Sequence, residues 1–298
     1  MSDKIRPSVG AFIVYLVPIT LIYSGVVLLP MLLAFYYSFF NWMGGPNRTF
    51  AGLDNYQALL NDTVFWQAFG NNIYLIVFCL IGQVGTGFII AMILNMRLAK
   101  FKMMHRMLCY FPATLSAIVI GFVWMIMYDY RLGLINALLN AVGLEQFRQP
   151  WLSNPNIAMT LVSLPIVWQF IGWCVIIFLA GFTSIETSVM EMAEIDGANG
   201  VQRMVYIALP LMKKIIFVVV MLCISGNMRV FDHIFAMTGG GPGTATTVMA
   251  MHAFNTSFRR HNMGYGNAMS VAILVLTVAT IAVAHLLFKV LGREKGDG

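Results

Sequence analysis

Charged residues are scarce in this sequence. Asp, Glu, Lys and Arg make up 10% of the 298 residues, whereas 59% are hydrophobic and the mean hydropathy is +0.80. A soluble domain carries about a quarter charged residues, so this composition excludes an ordinary soluble globule. Long windows carry no charge at all, and about 20 apolar residues suffice for a helix to cross a bilayer. These windows are residues 7–47, 63–96, 107–128, 149–185 and 261–288.

Paired cysteines and clustered metal ligands are also missing. The four cysteines fall singly inside apolar spans, and none of the five histidines lies at ligand spacing from a cysteine or carboxylate. We expect the cysteines to be small, buried apolar residues: Cys79, Cys109, Cys174 and Cys223. The stretch GGGPG lacks the Gly-Lys-Ser/Thr ending of a phosphate-binding loop. The sequence therefore predicts a non-enzymatic chain with no metal, no cofactor and no ATP hydrolysis of its own.

What is present predicts an all-α integral membrane protein with six transmembrane helices in a single membrane domain. The expected spans are about residues 11–40, 67–96, 105–128, 157–182, 210–231 and 267–291. A further charge-free window, residues 233–258, is rejected as a span because TGGGPGTATT interrupts it, and unsatisfied backbone in lipid costs several kcal/mol per group. A short amphipathic helix is expected near residues 53–60.

The basic residues predict the orientation. If both termini are cytoplasmic, the inner segments hold about twice as many Lys and Arg residues as the outer ones. The inner set is Lys4, Arg6, Arg97, Lys100, Lys102, Arg106, Arg203, Lys213, Lys214, Lys289, Arg293 and Lys295. The net charge of +6 is then a topology signal, and it does not indicate a nucleic-acid partner.

An acidic loop, residues 184–206, interrupts the apolar pattern and faces the cytoplasm in this topology. Its segment SIETSVMEMAEIDGANG predicts a short helix with Thr187 or Ser188 as the N-cap, and Ser188 with Glu191 as a capping box. Gly197 or Gly200 ends the helix, and Pro210 opens the next span. A loop helix lying on the membrane is one alternative, but an anionic inner leaflet attracts basic segments, which favours a protein partner.

Three motifs, in the same order, resemble a known family. Glu191-Met192-Ala193, three residues, Gly197, nine residues and Ile207-x-Leu209-Pro210 are similar to the EAA loop of ABC-importer permeases. Met192 is the one departure, because the family usually has alanine there. The stretches FAGLDNYQALLND and VFDHIFAMTGGGP resemble the carbohydrate branch. The chain thus resembles the first, maltose-permease-like subunit of a binding-protein-dependent sugar importer.

The resemblance implies a type I ABC importer permease fold in the bacterial cytoplasmic (inner) membrane. It implies a heterodimer with a second permease subunit, together with two ATP-binding cassette ATPase subunits and an extracytoplasmic sugar-binding protein. A carbohydrate substrate and membrane lipid are the other implied partners. The acidic loop would be the coupling helix that sits in a cleft on the ATPase. The residues that the resemblance assigns to this coupling are Glu191, Ala193, Asp196, Gly197 and Pro210.

Candidate substrate residues fall at one depth on the fourth and fifth spans. Trp173 and Asn227 each lie thirteen residues from an inner marker, roughly 20 Å along a helix. Phe170 and Gly226 share their helix faces, and counting from the EAA loop these positions match sugar-contacting ones in the maltose-type permease. Trp173 would stack on a sugar ring and Asn227 would bond its hydroxyls; ordinary helix packing is the alternative. Gln169 and Asn72 are further candidates.

Other functions make different demands on the sequence. Arg229 either pairs with Asp232 or binds an anionic substrate such as a sugar phosphate. A secondary transporter needs carboxylates within its spans, and here Asp and Glu occur only near span ends. A third possibility is a membrane scaffold that binds a partner protein and transports nothing. The position of Trp173 and Asn227 at one depth argues only weakly against it.

Overall fold

The computed structural model describes residues 9–95 and 101–293. Several basic residues on which the predicted orientation depends lie outside those ranges: Lys4, Arg6, Arg97, Lys100 and Lys295. The chain divides into two compact units, Met1–Asp62 with Ala253–Ala272 and Thr63–His252 with Ile273–Gly298.

The first unit opens with apolar helix and then turns back on itself. It contains α1 (Val9–Tyr23), a π-helical turn (Ser24–Leu28), α2 (Leu29–Tyr37), β1 (Phe40–Trp42), β2 (Arg48–Phe50) and α3 (Asp54–Leu60). The strands pair antiparallel with Phe40 opposite Phe50. This small hairpin was not predicted, whereas α3 confirms the short helix expected near residues 53–60.

Buried polar bonds hold the hairpin and α3 together. Asn55 donates to the carbonyl oxygens of Ser38 at 2.8 Å and Phe40 at 3.1 Å. Tyr265 donates to a carboxylate oxygen of Asp62 at 2.7 Å. The segment Ile13–Tyr37, by contrast, buries none of its apolar window within the chain. Such a surface needs lipid or another apolar partner to cover it.

The second unit contains most of the helices. In chain order they are α4 (Thr63–Cys79), a π-helical segment (Leu80–Gly85), α5 (Thr86–Asn95), α6 (Lys102–Tyr110), a 3-10 turn (Phe111–Thr114), α7 (Ala117–Met127), α8 (Leu134–Ala141), α9 (Ala158–Thr183), α10 (Thr187–Ile195), α11 (Gly200–Gln202), a second π-helical segment (Arg203–Ala208), α12 (Leu209–Leu211), α13 (Lys213–Met228), α14 (Asp232–Met237) and α15 (Met249–Phe254). A π-helical turn (Asn255–Arg259) and α16 (Met263–Arg293) complete the chain.

Four helices in the described residues are unbroken, long and apolar enough to cross a membrane. They are Ile13–Tyr37, Thr63–Asn95, Ala158–Thr183 and Met263–Val290. Two further segments reach that length only as bent pairs, Lys102–Thr114 with Ala117–Met127 at 95° and Gly200–Leu211 with Lys213–Met228 at 71°. The structure thus has up to six spans, and the third and fifth are broken helices rather than the continuous ones that hydropathy suggested.

The break in the third span has a local cause. Pro112 lies in the 3-10 turn, and Leu115 and Ser116 both take extended backbone conformations before α7 begins. The rejected seventh window is also broken: α14 ends at Met237 and α15 begins at Met249, with the glycine-rich loop between them.

Two predictions about the acidic loop are wrong. Ser188 and Glu191 form no capping box, because the N-cap of α10 is Glu186 and no side chain caps it. The capping box is instead at Asn199 and Gln202, which opens α11. Pro210 does not open the fifth span: it lies in α12, ahead of the bend at Met212, and α13 begins at Lys213.

Candidate functional site

A cavity of about 510 Å³ lies in the second unit, between α9, α13 and α14. It brings together four of the six candidate substrate residues, Phe170, Trp173, Gly226 and Asn227. Its other lining residues are Gln83, Ala117, Ile166, Cys174, Ile177, Val219, Leu222, Cys223, Arg229, Val230, Phe231, Asp232 and His233. The lining is mostly apolar with a few polar groups, which is typical of a small-molecule site.

Aromatic rings form one side of the cavity. Trp173 is 49% exposed, and its ring meets the ring of Tyr110 edge-on with centroids 5.6 Å apart. Phe170 lies one turn earlier on α9, and its ring meets the imidazole of His233 at 6.2 Å. Because Trp173 keeps much of its surface free, an aromatic face is available for stacking on an apolar face of a ligand.

Asn227 lies on the other side, on α13. Its side chain is 5% exposed and its Nδ2 donates to the carbonyl of Cys223 at 2.8 Å, one turn back on the same helix. This bond fixes the orientation of the amide, since only the nitrogen can donate to a carbonyl. Asn227 lines the cavity, and its amide oxygen accepts no hydrogen bond from the described residues.

Gly226 lies beside Asn227, and a Cβ built there would meet nothing within 4 Å. The absence of a side chain on Gly226 therefore keeps this part of the cavity open. No close backbone packing depends on it.

Asn72 is placed differently from the prediction. It is fully buried, does not line the cavity, and uses its amide to hold backbone. Nδ2 donates to the carbonyls of Asn227 at 2.9 Å and Met228 at 3.4 Å, and Oδ1 accepts from the Met249 N–H at 3.0 Å. Its amide thus joins the end of α13 to the start of α15, and these bonds describe a structural side chain behind the cavity wall.

Gln169 also lies behind the wall. It is 2% exposed and does not line the cavity. Its Nε2 donates to the carbonyl of Leu115 at 2.9 Å, at the break between α6 and α7. Its Oε1 lies 2.7 Å from Nε2 of His233. Gln169 therefore donates to a carbonyl that the broken helix leaves free. Its connection to the cavity is indirect, through its hydrogen bond to His233, which lines the cavity.

Gln83 and His233 line the cavity and were missed from the sequence. Gln83 lies in the π-helical segment between α4 and α5, donates to the Ile166 carbonyl at 3.1 Å and accepts from the Cys223 thiol at 3.5 Å. Single polar residues inside apolar runs were the available signal. Their position could not be predicted, because Gln83 lies in a π-helical segment and His233 in the short helix α14. Both elements depart from the regular helical register on which the prediction relied.

Arg229 lies at the end of α13 and lines the cavity, but the predicted pair with Asp232 is wrong. Its guanidinium donates to the Ser225 carbonyl at 3.2 Å and approaches the Ser225 hydroxyl at 3.4 Å. No described carboxylate forms a salt bridge with Arg229, whereas Arg203 of the acidic loop pairs with Glu194. Arg229 is therefore held by its own helix, with no carboxylate neutralising it.

The acidic loop carries the predicted coupling residues on one short helix and its exit. Ala193 is buried at 7% exposure, whereas Glu191 and Asp196 are exposed. Gly197 has φ +83°, and the helix ends with bonds from Gly197 N–H to Glu194 and from Ala198 N–H to Ala193, at 3.1 and 2.9 Å. This pairing is a Schellman motif, which favours glycine at the left-handed position.

A second cavity, of about 640 Å³, runs along this loop. Its lining residues include Glu191, Glu194, Gly200 and Arg203, with Phe182, Thr183 and Ile185 from the end of α9 and the turn after it. Two apolar side chains of α10 point away from any cover, since Met192 is 57% and Ile195 84% exposed. Acidic and apolar groups thus share an open surface, which is typical of a protein-binding site.

The glycine-rich loop after α14 is tied to α4. Asn71 donates to the carbonyls of Thr244 at 3.3 Å and Thr247 at 2.8 Å, and Thr244 donates to Gln67 at 2.9 Å. Two motifs far apart in sequence, AFGNN and TGGGPGTATT, therefore meet through amide side chains. These bonds fix the loop at one end of the unit.

Comparison with known proteins gives consistent matches. A family model described as a binding-protein-dependent transport system inner membrane component matches residues 83–295. The chain is 32% identical to the probable ABC transporter permease protein YurN of Bacillus subtilis (strain 168), over 94% of this chain and 96% of that protein. It is 31% identical to the multiple sugar-binding transport system permease protein MsmF of Streptococcus mutans, over 86% of this chain and 87% of that one.

Solved structures give the same fold. A chain of the crystal structure of a bacterial ABC transporter that imports the acidic polysaccharide alginate superposes with a TM-score of 0.82. Its sequence is 20% identical, and the alignment covers 93% of this chain and 94% of that one. The predicted all-α, multi-span fold is confirmed, and it is shared with a chain of an importer.

Proposed function

Because this chain belongs to the family of binding-protein-dependent transport system inner membrane components, we propose that it is the permease subunit through which an ABC importer moves a carbohydrate into the cytoplasm. The family makes it a multi-pass inner membrane transport subunit. Relatives that carry sugars support the choice of substrate, since MsmF is named for multiple sugar-binding transport and the structural neighbour imports alginate.

The observation that carries the proposal is the arrangement around the cavity. Trp173 and Phe170 offer ring faces on α9, while Asn227 offers a fixed amide on α13, across about 510 Å³ of open space. Sugars present apolar C–H faces and polar hydroxyl edges. A wall of aromatic rings facing a wall with fixed polar groups suits both, so Trp173, Phe170, Gly226 and Asn227 are the proposed substrate contacts, with Gln169 supporting them from behind.

The acidic loop is the proposed connection to separate ATPase subunits. Glu191 and Asp196 are exposed for charge-assisted contacts, and Ala193 leaves the centre of the short helix narrow. Gly197 supplies the turn, and Pro210 precedes the bend into the fifth span. A closing motion of two ATPases would then move this loop as a rigid body and reorient the helices that line the cavity.

The remaining partners follow from the same family membership. A second, related permease would cover apolar surface that this chain leaves open, and an extracytoplasmic binding protein would deliver the sugar. A structural neighbour is an alginate transporter in complex with a pentasaccharide-bound periplasmic protein. The excess of basic residues in the segments that we place inside supports cytoplasmic termini.

The test is uptake into proteoliposomes that contain the complete importer. Asn227→Ala should reduce the uptake of the transported sugar about tenfold while leaving assembly intact, because a hydrogen bond to a ligand inside the cavity is lost. Asn61→Ala is the matched control, since Asn61 makes the same bond to the residue four positions earlier, Gln57, but is exposed at the C-cap that follows α3. Equal uptake by the two variants would assign the sugar site to other residues.

A second substrate class is favoured by Arg229. This guanidinium lines the cavity and lacks a carboxylate partner among the described residues, so a sugar phosphate could reach it. Including glycerol-3-phosphate as a competitor in the uptake assay separates the two classes. Competition by glycerol-3-phosphate and not by neutral disaccharides would favour the phosphorylated substrate.

A further inference from the structure

A chain of hydrogen bonds fixes the protonation of a histidine in the cavity wall. The Leu115 carbonyl can only accept, so the atom of Gln169 that faces it at 2.9 Å is the amide nitrogen. The amide oxygen of Gln169 then faces Nε2 of His233 at 2.7 Å. Since that oxygen can only accept, Nε2 of His233 carries the proton.

The other ring nitrogen of His233 is therefore a hydrogen-bond acceptor. Burial lowers the pKa of His233 to about 4, so the ring is neutral at pH 7 and Nδ1 holds a lone pair. Within the residues that the structure describes, no donor bonds to Nδ1. The fully buried side-chain atoms without partners belong to Arg106, Arg148, Asn255 and Thr256. His233 lines the cavity, so Nδ1 is left for whatever occupies it.

The same reasoning applies to Asn227 on the facing helix. Its amide nitrogen is committed to the Cys223 carbonyl at 2.8 Å, so its amide oxygen is the free group. Gln83 is only partly committed: one N–H of its amide donates to the Ile166 carbonyl and its oxygen accepts from Cys223, which leaves the second N–H as a donor. Asp232, also in the lining, adds a carboxylate. The uncommitted acceptors of the lining are thus Nδ1 of His233, Oδ1 of Asn227 and the Asp232 carboxylate, and its uncommitted donors are the second N–H of Gln83 and the guanidinium of Arg229.

We propose that Nδ1 of His233 and Oδ1 of Asn227 form an acceptor pair that selects ligands by their hydroxyl donors. The inference rests on the proposed carbohydrate transport and adds His233 as a specificity-determining residue with Gln169 as its positioning residue. Each of these two atoms can accept a hydrogen bond from a sugar hydroxyl. Carboxylate oxygens carry no proton at pH 7, and most phosphate monoesters have lost their second proton there. Such a group would leave both acceptors unpaired, so an anionic group is disfavoured at this position.

Two substitutions separate the acceptor from the bond that positions it. His233→Gln can keep a donor for Gln169 through its amide nitrogen but places no acceptor where Nδ1 lies. His233→Asn can place its amide oxygen near Nδ1 but loses the bond to Gln169. We expect His233→Gln to lose the selection and His233→Asn to keep part of it, although the second variant removes the contact that holds the ring.

The probes are radiolabelled maltose, trehalose, melibiose and cellobiose, followed by the monodeoxyfluoro analogues of whichever sugar the complete importer takes up. Fluorine keeps the size of a hydroxyl but cannot donate. The wild-type importer should discriminate against one fluoro analogue about three- to tenfold in uptake, the range of a single hydrogen bond. His233→Gln should take up that analogue and its parent sugar equally well, and Asn61→Ala should retain the discrimination.

The possible outcomes bear on the two proposals separately. If the wild-type importer takes up none of the four sugars, the carbohydrate proposal fails. If it takes one up but tolerates every fluoro analogue, the acceptor pair is refuted from the wild type alone, even if neither His233 variant assembles. Unchanged discrimination in an assembled His233→Gln importer would also refute it, with carbohydrate transport left standing.

Discussion

The cavity and the acidic loop are both formed by α9 and the helices that follow it, but they differ in what they bury. Polar side chains are buried around the cavity, whereas apolar side chains are exposed in the loop. Around the cavity, Asn72, Gln169 and His233 are all less than 3% exposed and bond to this chain. In the acidic loop, Met192 and Ile195 are mostly uncovered. The geometry of the cavity wall is thus set within one chain, whereas the loop leaves apolar side chains uncovered at the surface where we propose that an ATPase subunit binds.

The largest effect is expected where helices touch through backbone beside the cavity. A Cβ on Gly172 would overlap the carbonyl oxygen of Cys109 and approach Cα of Tyr110 at 2.7 Å. Neither atom can rotate away, so Gly172→Ala should separate α9 from α6 and cost about 1–3 kcal/mol or more. The yield of assembled importer after size-exclusion chromatography should fall several-fold. Gly70→Ala, where nothing lies within 4 Å, should leave the yield unchanged, and a normal yield for both would contradict the close contact.

A smaller free-energy cost, which affects function and not assembly, is expected in the acidic loop. Gly197 has open space around it but a left-handed backbone at φ +83°, which costs an L-residue about 1–2 kcal/mol. Gly197→Val should therefore distort the end of α10 and reduce sugar-stimulated ATPase activity about tenfold without reducing assembly.

Gly200→Val is the matched variant for that test. Gly200 lies three residues further on, also with nothing within 4 Å and without a positive φ. It should retain most of the ATPase stimulation. If the two variants behave alike, backbone conformation at Gly197 does not determine coupling.

The smallest effect is expected at the ion pair of the loop. Arg203 and Glu194 pair with side chains that are 25% and 54% exposed, and exposed pairs contribute less than about 1 kcal/mol. Glu194→Gln should change uptake less than about threefold, and the difference from wild type should shrink at high salt. Uptake measured at low and high ionic strength checks this. A large, salt-independent loss would show that Glu194 has a role beyond its partner Arg203.

Patterns local in sequence were predicted well. Charge-free windows located the long helices, because lipid imposes one requirement on every residue of a span. Gly197 was identified as a helix-ending residue, since a left-handed position strongly prefers glycine. The glycine-rich stretch was recognised as a break between α14 and α15 for the same conformational reason.

Features set by distant partners were not predicted. The break at residues 115–116 follows Pro112 locally, but the carbonyl that it frees is satisfied by another helix, through the bond from Gln169 to Leu115. Asn72 is an amide in an apolar run, the same sequence pattern that predicted the substrate residues. Its hydrogen-bond partners lie more than 150 residues away in sequence, so its structural role could not be predicted. Hydropathy cannot distinguish an amide that faces a cavity from one that holds backbone.

The three bonds of Asn72 have a mechanical consequence. The side chain of Asn72, on α4, is hydrogen-bonded to the last carbonyls of α13 and the first N–H of α15. Neither helix end can slide past the other unless these bonds break. A movement of α13 that begins at the acidic loop would therefore move α4 and α15 as well, unless the hydrogen bonds of Asn72 break. The wall beside the cavity should move as one piece, with its hinge at Met212 and not at Asn227.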